Sequence, residues 1–365
     1  MMKPEGQLPE SSAVVRPVPV GSSTYTARSR LQAAGLAEAI RLFEQAAGAV
    51  ALPRPPQPIV IADYGAATGH NSLRPICAAI DVLRSRTSAD HSVLVTHTDV
   101  PKNDFSALFD TLSNDPDSYL AHDPATFTSA VGRSFFDQIL PSNSVNLGWS
   151  AWAIQFLSRV PEPVPDHLVA AGSSDDRVRT AYARQAARDW QDFLAFRGRE
   201  LAPHGRLLVM TMALHDSGEF GHRPLLAALR DTLAELRDDG VLTDDQWRRM
   251  VLPIVGRSAA DFVAPFAPSG RYERLEVEHL EVFDAQDRYY AQYRVDGDAA
   301  AFGAQWGAFC RAAVLPALLA TAPADPALVG DRLEAGVAAR MAADPQESQL
   351  PMAQLVLVKR PHPTG

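Results

Sequence analysis

Ile59-Val-Ile-Ala-Asp63-Tyr-Gly65-Ala-Ala-Thr-Gly69-His-Asn71 is an apolar run that ends in an acid, followed by a turn of small residues. Unbroken apolar residues over Ile59–Asp63 are the pattern of a strand buried on both faces of a parallel sheet. Beyond the turn, Leu73, Ile76, Cys77, Ile80 and Leu83 recur at helical spacing. Asn71 fits the N-cap of that helix, and Pro75 is tolerable in its first turn. Ser92-Val-Leu-Val-Thr-His-Thr-Asp99 reads as a second strand. Together these form one βαβ unit, expected to be parallel and right-handed.

The alternation continues outward from this unit. Upstream, Leu36, Ile40, Phe43 and Ala47 mark one face of a helix, which the Pro-rich stretch from Leu52 to Pro58 ends. Downstream, Val145–Gly148 reads as a strand. Tyr182, Ala186, Trp190, Phe193, Leu194, Arg197 and Leu201 lie at helical spacing, with Gly205 as a stop, and Arg206–Met212 is another buried strand. Leu275–Phe283 and Ala353–Lys359 suit an antiparallel pair at the sheet edge. The fold class is therefore α/β, a mostly parallel sheet with one antiparallel edge strand. Stretches at about 101–130, 215–265 and 295–345 are Ala/Leu-rich and read as helical. We take them as a cap over the C-terminal edge of the sheet, where open α/β folds bind ligands. Thr243-Asp-Asp-Gln246 is a capping box that starts one of these helices. Residues 1–20, rich in Pro, Ser and Gly, read as a flexible N-terminal arm, and 21–365 as a single domain.

Composition narrows the function. The chain has 365 residues, 46% of them hydrophobic, and a net charge of -9. No basic stripe offers a grip on nucleic acid. The two cysteines, Cys77 and Cys310, form neither a disulfide framework nor a zinc spacing, and Cys77 reads as a small core residue. No apolar run approaches the roughly 18 residues of a membrane span. No charged-then-apolar leader is seen, so the expectation is a cytoplasmic protein without a membrane partner. The ten histidines form no H-x-x-x-H pattern, and no metal is expected. His91 and His97 read as solvated or satisfied; His215 and Asp216 are placed to touch the mouth of a site. Gly148-Trp-Ser150-Ala-Trp152 lacks the second glycine that a hydrolase nucleophile elbow needs.

The chemistry of the small-residue turn is that of a cofactor loop. Gly65 and Gly69 let the backbone approach a ligand closely, and the helix N-terminus beyond favours an anionic group. Asp63 can accept from an ammonium group. Asp99, at the end of the second strand, is placed to reach two ribose hydroxyls. The G-x-x-x-G spacing argues against NAD and FAD, and no Walker lysine follows. A methionine-type cofactor, with an ammonium, a carboxylate and a ribose but no phosphate, suits Asp63, Asn71 and Asp99 better. The same residues also suit a capped turn, so the loop alone points only to a nucleotide-type cofactor.

Six blocks in consistent order add a resemblance. Tyr25-x-x-x-Ser29-x-x-Gln32, then Ile61-Ala-Asp63-Tyr-Gly65-Ala-Ala-Thr-Gly69-His-Asn71, then Thr98-Asp99-Val-Pro-Lys-Asn103-Asp104-Phe105 come first. Val131-Gly-Arg-Ser134-Phe135-Phe-Asp-Gln-Ile-Leu-Pro141, Leu157-Ser-Arg-Val-Pro161, and the helix from Ala181 through Arg197 to Gly205-Arg206 follow. The chain resembles the SABATH family of carboxyl methyltransferases, on its bacterial branch, and is similar to actinobacterial fatty acid O-methyltransferases. The resemblance implies a class I methyltransferase Rossmann-like sheet with an α-helical cap, S-adenosyl-L-methionine as cofactor and, weakly, a homodimer. It implies cofactor contacts at Ser29, Asp63, Gly65, Asn71, Asp99, Val100, Ser134 and Phe135. Asp99 would hold the ribose, Ser134 and Phe135 the adenine, and Asp63 with Asn71 the methionine end. Tyr25 and Gln32 fall with the substrate, Gln32 on its carboxylate.

One block departs from the family. The tryptophan that donates to the substrate carboxylate is Phe156 here, and the tyrosine four residues earlier is Trp152. We expect the indole N–H to have moved by one helical turn, so that Trp152 and Gln32 grip the carboxylate. Gln155 replaces an apolar pocket residue and is a further donor.

The reaction implied is in-line SN2 transfer of a methyl group to a carboxylate. It needs no general base, because a carboxylic acid with a pKa of about 4 is already ionised at neutral pH. Alignment is the protein's main contribution, worth roughly 7–11 kcal/mol when well made. The expected substrate is a free apolar acid of medium chain length, with Leu225, Leu226, Leu229 and Leu233 available for an alkyl tail or for an ordinary helix core. Alternatives are an aromatic acid of the salicylate, benzoate or indole-acetate type, and a non-catalytic relative that only binds.

Overall fold

The computed structural model describes residues 23–319 and 325–361; the side chains of 23–35 lie outside that description, as does the arm expected over 1–20. Helix α1 (Ser23–Ala49) precedes the Pro-rich stretch, and β1 (Ile59–Tyr64) follows it. Helix α2 (Leu73–Arg84) carries the chain to β2 (Val93–Asp99). These two strands pair in parallel from Ile59↔Val93 to Tyr64↔Thr98. The βαβ unit has the form expected, but Asn71 is not its cap. A short 3-10 turn over His70–Ser72 intervenes, and Ser72 occupies the N-cap of α2 without a side-chain capping bond.

Helices α3 (Phe105–Asn114) and α4 (Tyr119–His122) lead to β3 (Thr126–Gly132), the parallel neighbour of β2. This corrects the reading of 101–130 as helical cap. Its last residues form an outer strand, and Leu108, Leu112 and Tyr119 pack into the layer of α1 and α2. The strand was hidden because Thr126-Phe-Thr-Ser-Ala-Val-Gly132 has one covered end and otherwise half-buried or exposed residues.

β4 (Val145–Ala151), α5 (Asp176–Glu200) and β5 (Leu201–Met212) complete the parallel part. Gly205 lies inside β5 and does not stop the helix, which gives way to extended backbone at Leu201. A Cβ at Gly205 would stand 2.8 Å from Ala202 O and 3.0 Å from Val145 O, beside the register shift between β4 and β5. Its missing side chain serves that close approach.

Then come α6 (Arg223–Asp238), α7 (Asp244–Arg249), α8 (Ala259–Val263), β6 (Leu275–Asp284), α9 (Arg288–Asp296), α10 (Ala299–Phe309), α11 (Leu315–Leu319), α12 (Pro326–Ala343) and β7 (Pro351–Lys359). Thr243 and Gln246 form the reciprocal capping box at α7. The seven strands run in the order β3-β2-β1-β4-β5-β7-β6. β7 is antiparallel to both β5 and β6, so the sheet is mostly parallel and is closed at that edge by an antiparallel pair.

Three apolar clusters place the site. One joins α1, α2 and α3 to one face of the sheet through Phe43, Ile76, Leu108, Trp149 and Met210. Another joins α5 to the opposite face through Trp190, Phe193, Leu207 and Val209. β7 divides its side chains between them, Met352 and Val356 to the first and Ala353, Leu355 and Leu357 to the second, which is why all nine of its residues are buried. The third cluster is the helical cap, where Leu225, Leu229 and Leu233 of α6 meet Phe302, Trp306, Leu333 and Val337. No helix among the described residues is long and apolar enough to cross a membrane.

Candidate active site

The loop after β1 turns on three residues with left-handed backbone, Gly65 (φ 86°), Ala67 (φ 49°) and Gly69 (φ 79°). At Gly69 a Cβ would also stand 2.6 Å from Leu108 Cδ1, so nothing larger fits without displacing that side chain. The Gly65 and Ala66 N–H groups donate to Thr98 O at 2.9 and 3.0 Å, tying the turn to the end of β2. The Ala67 peptide is clamped from both sides. Its N–H donates to Asp99 Oδ2 at 2.8 Å, and its carbonyl accepts from Asn103 Nδ2 at 2.8 Å. Asp99 Oδ1 accepts from Val100 N at 2.7 Å. Asp99 is thus braced by the loop through both carboxylate oxygens.

Asp63 is buried at the end of β1, its Oδ2 2.8 Å from His97 Nδ1. His97 Nε2 lies 2.8 Å from the Tyr119 hydroxyl, which donates to Thr128 Oγ1 at 3.0 Å. Burial raises the pKa of the Tyr119 phenol, which therefore keeps its proton. This relay through β2, α4 and β3 was not foreseen as part of the site. His97 becomes a partner of Asp63 only because the two residues are matched in the parallel ladder.

Asn71 follows on the 3-10 turn and lines the cavity described below. Val100 is buried beside Asp99. The segment flanking the expected adenine position is joined to the same loop region by Arg133 N, which donates to Asp99 O at 2.8 Å. Ser134 Oγ accepts from Phe136 N at 3.2 Å. The Phe135 ring is buried in the α5-side core, 4.7 Å from Phe136 and 6.0 Å from Phe193 between centroids. Arg197 holds this segment by donating to Phe135 O and Asp137 O, each at 2.8 Å, and to Glu200 Oε1 at 2.8 Å. Glu200 in turn accepts from the Tyr64 hydroxyl at 2.7 Å and from Leu140 N at 3.1 Å. Arg197 and Glu200 thus form a fully buried ion pair that organises the loop after β3 from α5.

A cavity of about 480 Å³ opens beyond the C-terminal ends of the strands, between the sheet and the cap. Trp152, Gln155 and Phe156 line it from the chain after β4. That chain is not helical, which corrects the expected one-turn spacing of Trp152 and Phe156. Trp152 takes a left-handed conformation (φ 58°) directly after β4 and donates its backbone N–H to Met210 O at 2.9 Å. Phe156 makes a β-bridge to Ile254. Gln155 is buried and largely spent on structure: Nε2 donates to Trp152 O at 2.6 Å and Oε1 accepts from Thr211 Oγ1 at 3.1 Å. Leu225, Leu226 and Leu229 are cavity walls, whereas Leu233 packs inside the cap. His222, also on the wall, has its pKa pushed down to about 4 by burial and is neutral at pH 7.

Other expected contacts fall elsewhere. Tyr25, Ser29 and Gln32 have side chains outside the described residues, on the part of α1 that precedes the wall residues Leu36 and Glu38. His215 stands 3.5 Å from the cavity residue Asp284 but, like Asp216, is not on the wall. His91 is satisfied by Thr87 and Gln57 O, and the Ser150 hydroxyl by Tyr64 O at 3.0 Å. Among the described residues, no group of three or more His, Cys, Asp and Glu is placed to hold a metal ion.

A mixed seven-stranded sheet with a glycine turn after β1, strand-end acids and an apolar cavity under a helical cap defines the class I methyltransferase fold. The chain belongs to the SAM-dependent carboxyl methyltransferase family, whose model matches residues 19–358. It is similar to anthranilate O-methyltransferase 1 of Zea mays, with 26% identity over 292 residues, 72% of this chain and 75% of that one. It is also similar to gibberellic acid methyltransferase 2 of Arabidopsis thaliana, with 25% identity over 263 residues, 66% of this chain and 67% of that one. A solved structure of loganic acid methyltransferase with SAH shares the fold at a TM-score of 0.75 and 20% identity, covering 93% of this chain and 97% of that one.

Proposed function

We propose that this carboxyl O-methyltransferase esterifies a free apolar acid, and that the acid is a medium-chain fatty acid. The observation that carries this reading is the cavity. Its volume of about 480 Å³ lies within the range of small-ligand sites, and its walls include Phe156, Met212, Leu225, Leu229, Leu252 and Ile254. Asn71 and Trp152 put its near end beside the cofactor loop.

The residues of the loop fit S-adenosylmethionine. Asp63 would receive the ammonium group, Asn71 the methionine end and Asp99 the ribose, while Gly65 and Gly69 leave the backbone free to approach. Val100, Ser134 and Phe135 would flank the adenine, Phe135 through its backbone, because its ring is committed to the core. When bound, the cofactor supplies a sulfonium methyl group: a C–O bond forms to the acid, the C–S bond breaks, and S-adenosylhomocysteine leaves without a proton moving.

The chain's own work is to orient and desolvate. Trp152 lines the cavity and its backbone carbonyl is held by Gln155; its indole N–H would donate to the carboxylate, with Gln32 as its partner. Fixed dipoles then replace water around the reacting oxygen. No general base is required. In the same reading the enzyme is cytoplasmic, a single domain over 21–365 with its cap at about 215–265 and 295–345, and a homodimer. It acts on a small-molecule acid, without nucleic acid or membrane as partner.

The second reading is an aromatic acid, favoured by the aromatic walls Trp152, Phe156 and Phe220. The third is a binding protein without turnover; one maize relative, 25% identical, is named an inactive anthranilate O-methyltransferase. Purified protein with labelled S-adenosylmethionine and a panel from hexanoic to tetradecanoic acid, benzoic, salicylic and indole-acetic acids separates the three. Fastest transfer to a saturated acid supports the first reading and to a ring acid the second. Cofactor binding with no transfer to any acid would overturn both.

A further inference from the structure

A plain alkyl tail leaves part of this cavity unanswered. Three of its wall residues are polar, more than nine-tenths buried, and hold atoms without any hydrogen-bond partner. These are His222 Nε2, Trp306 Nε1 and both amide atoms of Gln354, on side chains 8%, 2% and 0% exposed. They come from separate elements. His222 directly precedes α6, Trp306 lies on α10, and Gln354 sits in β7.

Gln354 is the sharpest case. It interrupts an otherwise apolar stretch, Met352 to Val358, and among the described residues it is the buried side chain left open at both donor and acceptor. Its ladder partners are Met210 of β5 and Glu281 of β6, and Met210 is level with Ala151 of β4. Gln354 is therefore two strand spacings, about 10 Å, from the residue before Trp152. It stands on the face shared by Met352 and Val356, the face of α1. Gln155, another amide of the wall, is by contrast bonded at both ends, through Nε2 to Trp152 O and through Oε1 to Thr211 Oγ1. Buried polar groups are almost always paired, because leaving them open is costly. Three open ones on wall residues of a single apolar cavity, each covered by its neighbours, point to a partner that enters with the ligand and meets them as those side chains turn toward it.

We propose that the acid methylated by this chain carries a second, neutral oxygen on its apolar body, a hydroxyl or carbonyl, which Gln354, Trp306 and His222 recognise. Trp306 can only donate, so the ligand atom it meets must accept; Gln354 can do both, and the neutral imidazole of His222 can do either. A hydroxyl or carbonyl oxygen meets these demands, and a saturated hydrocarbon chain meets none. The inference rests on the reading of the cavity as the acid-binding site, and it replaces the plain fatty acid by an oxygenated one.

The test uses decanoic acid and a series of hydroxy- and oxodecanoic acids substituted at successive carbons, with the full chain, Trp306→Phe and Gln354→Met. Sites built to hydrogen-bond a substrate oxygen discriminate strongly against the analogue that lacks it. The expected result is at least one oxygenated acid with kcat/KM ten-fold or more above decanoate, chiefly through KM. In either variant that ratio falls toward one. Both variants keep or raise Tm in the absence of acid, since an unpaired polar group has been removed. A ratio at or below one across the whole series for the unaltered chain overturns the proposal, as does an unchanged ratio in both variants. Calorimetric binding of the same acids to protein loaded with S-adenosylhomocysteine reads the preference without turnover. Binding with the expected preference but no methyl transfer supports this inference and overturns the catalytic reading alone.

Discussion

His97 Nδ1 lies 2.8 Å from Asp63 Oδ2 in a contact sealed from solvent on both sides, with side chains 0% and 2% exposed. The imidazole is itself fixed by Tyr119, so the carboxylate at the end of β1 is held in one orientation. Removing the imidazole leaves a buried polar group without its hydrogen bond, at a cost of about 1–3 kcal/mol. His97→Ala should therefore lower Tm and weaken S-adenosylmethionine binding at least ten-fold by calorimetry. Tyr119→Phe removes one hydrogen bond and should weaken it less, in line with about 1 kcal/mol. Wild-type cofactor affinity in His97→Ala would show that the orientation of Asp63 does not matter.

Trp152 supplies the one indole N–H expected at the near end of the cavity. Trp152→Phe should raise KM for the acid and lower kcat, together about ten-fold or more in kcat/KM, consistent with the loss of a hydrogen bond to a charged group of about 1.5–3 kcal/mol. Cofactor affinity should stay within two-fold. Steady-state kinetics decide the matter: an unchanged KM and kcat would remove Trp152 from the carboxylate grip.

Arg197 and Glu200 are both fully buried, and Arg197 also satisfies two carbonyls after β3. Arg197→Met should destabilise the protein by about 3–5 kcal/mol in urea unfolding, because Glu200 loses its cation and the carbonyls of Phe135 and Asp137 lose their donors. A loss under about 1 kcal/mol would place this pair with weak surface bridges.

His222 links stability to pH. Its pKa is about 4 in the folded chain, against about 6.5 when unfolded. Between those values the unfolded state binds more protons, so stability is full above about pH 6.5 and falls as pH drops toward 4. The loss attributable to this residue should be about 2–3 kcal/mol. Urea unfolding of the unaltered chain and of His222→Gln at pH 7 and pH 5 tests it. The unaltered chain should lose more stability on acidification; parallel losses would show that His222 is not the linked group.

Much of the fold was determined locally and could be read from the chain. The run Ile59–Asp63, the glycines after it and the helical spacing from Leu73 to Leu83 specify strand, turn and helix through interactions only a few residues long. The acids Asp63 and Asp99 could be recognised as strand ends for the same reason, and the ordered motifs named the family. Where local pattern and packing diverged, packing won. Asn71 yielded its capping place to Ser72, Gly205 became the small residue of a strand, and Thr126–Gly132 joined the sheet despite a weak apolar signal. The partners in the site belong to the tertiary structure altogether. His97 meets Asp63 because β1 and β2 align in register, Trp152 reaches the cavity through a left-handed turn, and Gln354 faces it because β7 enters the sheet reversed, between β5 and β6. Each of these depends on residues far apart in the chain, and sequence spacing carries no record of which side chains strand pairing will set face to face.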